Sequence, residues 1–230
     1  MNRVSSRKDS TVKHRGPGRG ISLVEVIVTI VVIGLLMAIL LPAISSVRQS
    51  VRRMQCGYQF NQIGIALSQY EDIHKQFPPS GEANTRWSVC LLPFLEQSQV
   101  YSEYDHNYPP DHNDNLGVSH RLISVLKCPS DRSVRTETGA AFISKAMNIL
   151  LADKSTVDCT DGASNTILLS EVNGLGDIPW TTGALTFVGY QESSHGHMVN
   201  VLFADGHVAF VDGRNEQVMT AWGTPSGGEF

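Results

Sequence analysis

The stretch Gly20-Ile-Ser-Leu-Val-Glu25-Val-Ile-Val-Thr-Ile-Val-Val-Ile-Gly34-Leu-Leu-Met-Ala-Ile-Leu-Leu-Pro42 decides how the rest of the chain is read. From Ile21 to Ile44 its one ionisable group is Glu25. As a helix rising about 1.5 Å per residue, that length covers the roughly 30 Å of a bilayer core. The segment therefore reads as a membrane span. Glu25 stands out within it, because a carboxylate placed in lipid is costly unless neutralised or paired, so such a residue is a functional candidate by default.

Upstream, residues 1–20 carry Arg3, Arg7, Lys8, Lys13, Arg15 and Arg19 against one acid, Asp9, and contain no apolar run. A secretory signal places its apolar core before the cleavage point, whereas here the apolar run follows Gly20. By the positive-inside rule the basic leader stays in the cytoplasm and everything beyond Pro42 lies outside.

A basic leader ending in Gly20, followed by an apolar residue and by Glu fifth in the following chain, resembles a type IV prepilin. The family usually has Phe where this chain has Ile21. The resemblance implies that a prepilin peptidase cuts between Gly20 and Ile21 and methylates the new amine. Glu25 would then pair with the α-ammonium of a neighbouring subunit, allowing both charges to sit in an apolar bundle and setting the register of assembly. An ordinary signal-anchor helix with Glu25 near the interface is the plainer reading.

The formal charge is −4; taking the leader's six basic residues and one acid from 18 and 22 leaves 12 and 21, or −9. So acidic a remainder argues against nucleic acid as a partner. Cys56, Cys90, Cys128 and Cys159 would all lie outside the cytoplasm, where disulfides persist. Four cysteines allow three pairings, between which spacing does not choose, and buried free thiols are the alternative. No CxxC pair suggests zinc.

Helical periodicity continues past Pro42, which is expected to kink the helix. Ile44, Val47, Val51 and Met54 recur at spacings of three and four, and Cys56, Phe60, Ile63, Leu67 and Tyr70 continue the stripe. The helix is expected to run from about Ile21 to His74 and to stop at Phe77-Pro78-Pro79. The domains are therefore a leader, 1–20; a transmembrane helix, 21–44; its amphipathic continuation, 45–76; and a globular ectodomain, 77–230. Within the last, a second helix is expected near Leu92–Tyr104, a loop over Asn107–Gly117, and strands over Val125–Cys128, Thr166–Glu171 and Leu185–Tyr190; Ala141–Leu151 is ambiguous.

Met198-Val-Asn-Val-Leu-Phe-Ala-Asp205-Gly206-His-Val-Ala-Phe-Val-Asp-Gly213 reads as a hairpin. Asp-Gly between alternating apolar runs favours a two-residue turn pairing Ala204 with His207 and Val201 with Phe210. Val199, Val201, Phe203, Val208 and Phe210 would then share the face laid on the helix.

His195, nine residues, then Asp205-Gly206 resembles the closing motif of a large bacterial family of pilin-like proteins whose domain has no established function. Arg52-Arg53-Met-Gln-Cys56, Asn61 to Leu67, Phe77-Pro78-Pro79, Leu91 to Gln97, Cys128-Pro129-Ser130-Asp131 and Thr160 to Glu171 resemble it too. Cys56 and Cys128 fall within these stretches, and the resemblance thus favours them as the disulfide; His195, Asp205 and Gly206 are expected to be structural.

No firm metal set stands out. His197 and His207 lie about eight strand residues apart across the turn, roughly 25 Å, too far for one ion. A weaker set is His195, His197 and Asp212, and calcium is weighed at Asp161, Asn165 and the loop Asp111 to Asn115, without EF-hand spacing. Ser170-Glu171 and Ser193-Ser194-His195 lack nucleophile-elbow glycines, so no catalytic residues are assigned and the chain is read as a non-enzyme.

The expected fold is α+β and pilin-like, a long N-terminal helix, transmembrane then amphipathic, packed on a small antiparallel sheet. The expected function is a filament or secretion-pseudopilus subunit in the cytoplasmic membrane, a single span with its C-terminal domain outside. Its partners would be prepilin peptidase, copies of itself or other pilin-like subunits, inner-membrane assembly machinery and lipid. The alternative is a monomeric tethered binding module that uses the N-terminal segment for export alone; a secreted hydrolase using the His-rich end ranks below both.

Overall fold

The computed structural model describes residues 22–79, 86–131, 139–172, 178–183, 185–186 and 193–225. The leader, Gly20 and Ile21 lie outside these residues, as does most of the strand expected over Leu185–Tyr190. Two compact units divide the chain, Met1–Val47 and Arg48–Phe230.

Helix α1 is Leu23–His74 and its assignment runs through Pro42. In the first unit its backbone ladder begins at Ser22, whose carbonyl accepts from the amides of Glu25 and Val26. Apolar side chains there are exposed all round the helix, among them Leu23 at 74% and Leu41 at 60%, as in a membrane anchor or a signal sequence.

In the second unit, the same helix's Cys56, Phe60, Ile63, Ala66, Leu67 and Tyr70 form a buried stripe. The stripe packs on a five-stranded sheet of order β3-β1-β2-β4-β5, where β1 is Lys145–Asn148, β2 Ile167–Glu171, β3 Leu185–Thr186, β4 Met198–Phe203 and β5 Val208–Asp212. Four strands are antiparallel; β3 runs parallel to β1 at one edge. This is the α+β architecture anticipated from the sequence.

The other face of the sheet carries a second core of Ile167, Val199, Val201, Phe203 and Met219, with Trp222 packed against it. Met219 and Trp222 belong to α5, Glu216–Gly223, a helix for which the sequence reading made no provision. Asn148 ties it down: its fully buried side chain donates to the carbonyls of Ile167 (2.9 Å) and Gly223 (2.7 Å).

The hairpin forms with a register one residue away from expectation. Val201 faces Ala209 and Leu202 faces Val208, and the loop has three residues, Ala204-Asp205-Gly206. Asp205 accepts from the His207 amide at 3.0 Å, and Gly206, at φ +90°, takes the left-handed position that closes such a loop. Faces change accordingly. Val199, Val201 and Phe203 look toward α5, while Leu202 and Phe210 meet α1, Leu202 against Gly64 and Phe210 beneath the Arg53 guanidinium.

The segment around Pro93 is shorter in its helices than expected. It consists of α2, Trp87–Cys90, a 3-10 turn over Leu92–Leu95 and α3, Ser98–Glu103, with Glu96 at φ +60° breaking the run. Part of the expected loop is α4, Asn113–Ser119, supported by buried Asn115, which donates to the carbonyls of Asp105, Tyr108 and Pro109. The strand expected over Val125–Cys128 is instead a 3-10 turn over Ser124–Leu126 leading into Cys128.

Candidate functional site

Glu25 sits in the first turn of α1 within the exposed apolar segment. That helix is long and apolar enough to cross a membrane.

In the second unit, chemistry converges at a buried point where four separate elements meet. Cys56 comes from the α1 stripe, Cys128 from the end of the extended lead-out after Leu126, Glu171 from the last position of β2, and His195 from the turn before β4. One ligand atom from each lies within 4.8 Å of every other. His195 Nε2 is 3.4 Å from Cys128 Sγ and 3.6 Å from Glu171 Oε1. The side chains of Glu171 and His195 are each 1% exposed, so solvent does not reach the group.

Local structure places each member. Ser193 shapes the turn that delivers His195: its Oγ donates to the Met198 carbonyl at 2.7 Å and accepts from the His195 amide at 3.0 Å. Gly196, at φ +84°, completes it. Cys128 is held through its amide, which donates to Ser144 Oγ at 3.2 Å, and Ser144 in turn donates to Asp131 Oδ2 at 2.7 Å. Glu171 is oriented by Asn200, whose Nδ2 donates to Oε2 at 2.8 Å. Its other oxygen, Oε1, is buried without a hydrogen-bond partner, as is His195 Nδ1.

Lys145 faces Glu171 across the β1–β2 ladder and is fully buried. Its Nζ donates to Gln59 Oε1 at 3.0 Å and lies 5.4 Å from the centre of the Phe60 ring. Burial pulls Lys145 below its usual range, opposed by the neighbouring Cys56, Glu171 and Cys128.

The electrostatics divide the two sulfurs. The hydrogen bond between them holds the proton on Cys56, whose thiol is pushed up first by that bond and then by burial. Cys128 is drawn down, first by the same bond and, against the opposing effect of burial, by His195 and Glu171. The imidazole of His195 is raised, chiefly by Cys128. Burial raises the Glu171 carboxyl, with Cys128 adding to it. The arrangement is thus two sulfurs, an imidazole and a carboxyl in one buried group, with Lys145 beside it.

Cys56 and Cys128, the pair favoured as a disulfide, are neighbours in the same pocket as His195 and Glu171, with both thiols unlinked. Cys90 and Cys159 are also free.

Of the weaker metal set, His195 lies in the buried group, while His197 is exposed and close to Asp212, which Arg214 holds through Nε and Nη2, donating to its two oxygens at 3.0 and 2.7 Å. Asp161 and Asn165 are both exposed, and Asn165 Nδ2 donates to the Asp161 carbonyl at 3.0 Å. Within the closing motif, His195 is in the buried group whereas Asp205 and Gly206 build the hairpin loop. Sequence reasoning missed the convergence because Cys56, Cys128, Glu171 and His195 have no common spacing; the signal available was that each lay in a stretch already singled out.

Residues 45–157 match a family described as "Protein of unknown function (DUF1559)", bacterial proteins that often carry an N-terminal prepilin-like segment. The match supports a likeness to a pilin-like family. Cys56 and Cys128 fall inside it, and Glu171 and His195 beyond it. No curated protein and no solved structure matches the chain.

Proposed function

We propose that the protein is a pilin-like subunit of the bacterial cell envelope, matured between Gly20 and Ile21 and assembled with other such subunits through Glu25. The observation that carries this reading is a lone carboxylate in the first turn of an apolar helix whose exposed side chains need lipid or other helices around them. A neighbouring copy's α-ammonium is the partner that lets Glu25 remain in such surroundings. The likeness over residues 45–157 supports the same reading. Work is done by assembly, and no residue is assigned a catalytic role.

Mass spectrometry of the mature N-terminus tests maturation, with N-methylated Ile21 expected; an intact leader in membranes of cells that make a prepilin peptidase overturns it. Cross-linking through a cysteine introduced at Val28 tests assembly. A ladder of oligomers is expected, and a single monomer band favours the tethered module.

A further inference from the structure

We propose that Cys56, Cys128, Glu171 and His195 form a closed, four-coordinate zinc site that joins α1, the Cys128 segment, β2 and the lead-in to β4.

Geometry is the first support. In a zinc tetrahedron with Zn–S of about 2.3 Å and Zn–N or Zn–O of about 2.0–2.1 Å, neighbouring ligand atoms stand roughly 3.3–3.8 Å apart. The His195 Nε2 edges to Cys128 Sγ and Glu171 Oε1 measure 3.4 and 3.6 Å, and every pair in the set is within 4.8 Å. Two sulfurs, an imidazole and a carboxylate are the borderline-soft donors zinc takes, and a buried set with no room left for substrate is the structural kind of site.

The second support is independent of the distances. Glu171 Oε1 is buried and has no hydrogen-bond partner, while Oε2 is held by Asn200. An oriented carboxylate with one lone oxygen turned toward two sulfurs and an imidazole is what a metal ligand with an outer hydrogen bond looks like. A buried polar oxygen left so is otherwise costly.

Charge is the third. Binding as thiolates, Cys56 and Cys128 release their protons to solvent and bring two negative charges; Glu171 brings a third. Zinc offsets two of the three, and Lys145 stands opposite Glu171 across the β1–β2 ladder. A group sealed from water needs its charges offset in this way.

The test uses the full-length chain extracted in detergent. Elemental analysis is expected to find about one zinc per chain, and Cys128→Ser or His195→Gln to lower that at least about tenfold. Cobalt replacement of the zinc in the unsubstituted protein, which does not depend on a variant folding, is expected to give the intense thiolate-to-cobalt absorption and ligand-field bands of a tetrahedral centre. Folded protein that binds neither zinc nor cobalt overturns the proposal. So does a Cys56–Cys128 disulfide, seen as a two-hydrogen mass deficit after thiols are alkylated in intact cells.

Discussion

Gly64 of α1 lies against Leu202 of β4 so closely that a Cβ at position 64 would stand 2.9 Å from Leu202 Cδ1 and 3.4 Å from the Gly206 carbonyl oxygen. Leu202 is fully buried, and a small cleft lined by Gly64, Leu67, Leu202, Phe203 and Gly206 adjoins the contact. This is where the helix and the sheet approach most tightly among the described glycines of α1. At Gly57 a Cβ would meet Asn200 Oδ1 at an ordinary 3.6 Å.

Two glycines on one helix are therefore expected to respond unequally. Gly57→Ala removes a helix-destabilising residue without a clash and should stabilise by about 0.5–1 kcal/mol. Gly64→Ala gains the same propensity but must push the Leu202 side chain toward the adjoining cleft, so it should stabilise less than Gly57→Ala. Thermal unfolding of the two variants beside the parent protein checks both; equal shifts would contradict the packing described.

Asn148 is expected to govern the C-terminal helix. Asn148→Ala leaves the Ile167 and Gly223 carbonyls without their donor, at about 1–3 kcal/mol for each buried group. Limited proteolysis should then cut near α5 well before the rest of the second unit yields, and unchanged cleavage would rule out the tether.

Asp212 offers a pH test at the surface. Arg214, through its side chain and then its amide, draws the Asp212 carboxyl down to about 2. An acid lowered on folding contributes stability above its ordinary value of about 3.9 and loses it as pH falls toward the folded value. The contribution of this contact should therefore fade between about pH 4 and pH 2. NMR titration of the Asp212 carboxyl should show a low midpoint that moves up in Arg214→Ala.

Glu25→Gln separates insertion from assembly. Removing the charge makes residence in lipid easier, so membrane extraction profiles should be unchanged. Cross-linked oligomers through Val28→Cys should fall at least about tenfold, because an amide is a far weaker mate for an ammonium. Undiminished ladders would remove Glu25 from the assembly step.

Periodicity carried the long helix and the strand at Ile167–Glu171 to within a residue or two, because both bury faces that follow the period of their backbone. The hairpin was legible as a hairpin, but not its register. Asn200 alternates with the apolar positions of its strand; it lies on the α1 side, buried, where it holds Glu171. The one polar residue that broke the pattern inward was serving the site. Helix α4 was hidden in a run of Asp, Asn, His and Pro because Asn115 supplies buried bonds that composition reads as loop. The four-residue centre was illegible for a related reason, since its members are brought together only by tertiary packing.

The strand order carries a practical consequence for anyone dividing this chain. β1 lies between β3 and β2, both of which are encoded after residue 157, as are β4 and β5. A fragment trimmed to 45–157 would present β1 with neither neighbour and the α1 stripe with no sheet to cover it, an adhesive surface. The sensible unit for expression reaches at least through Gly223.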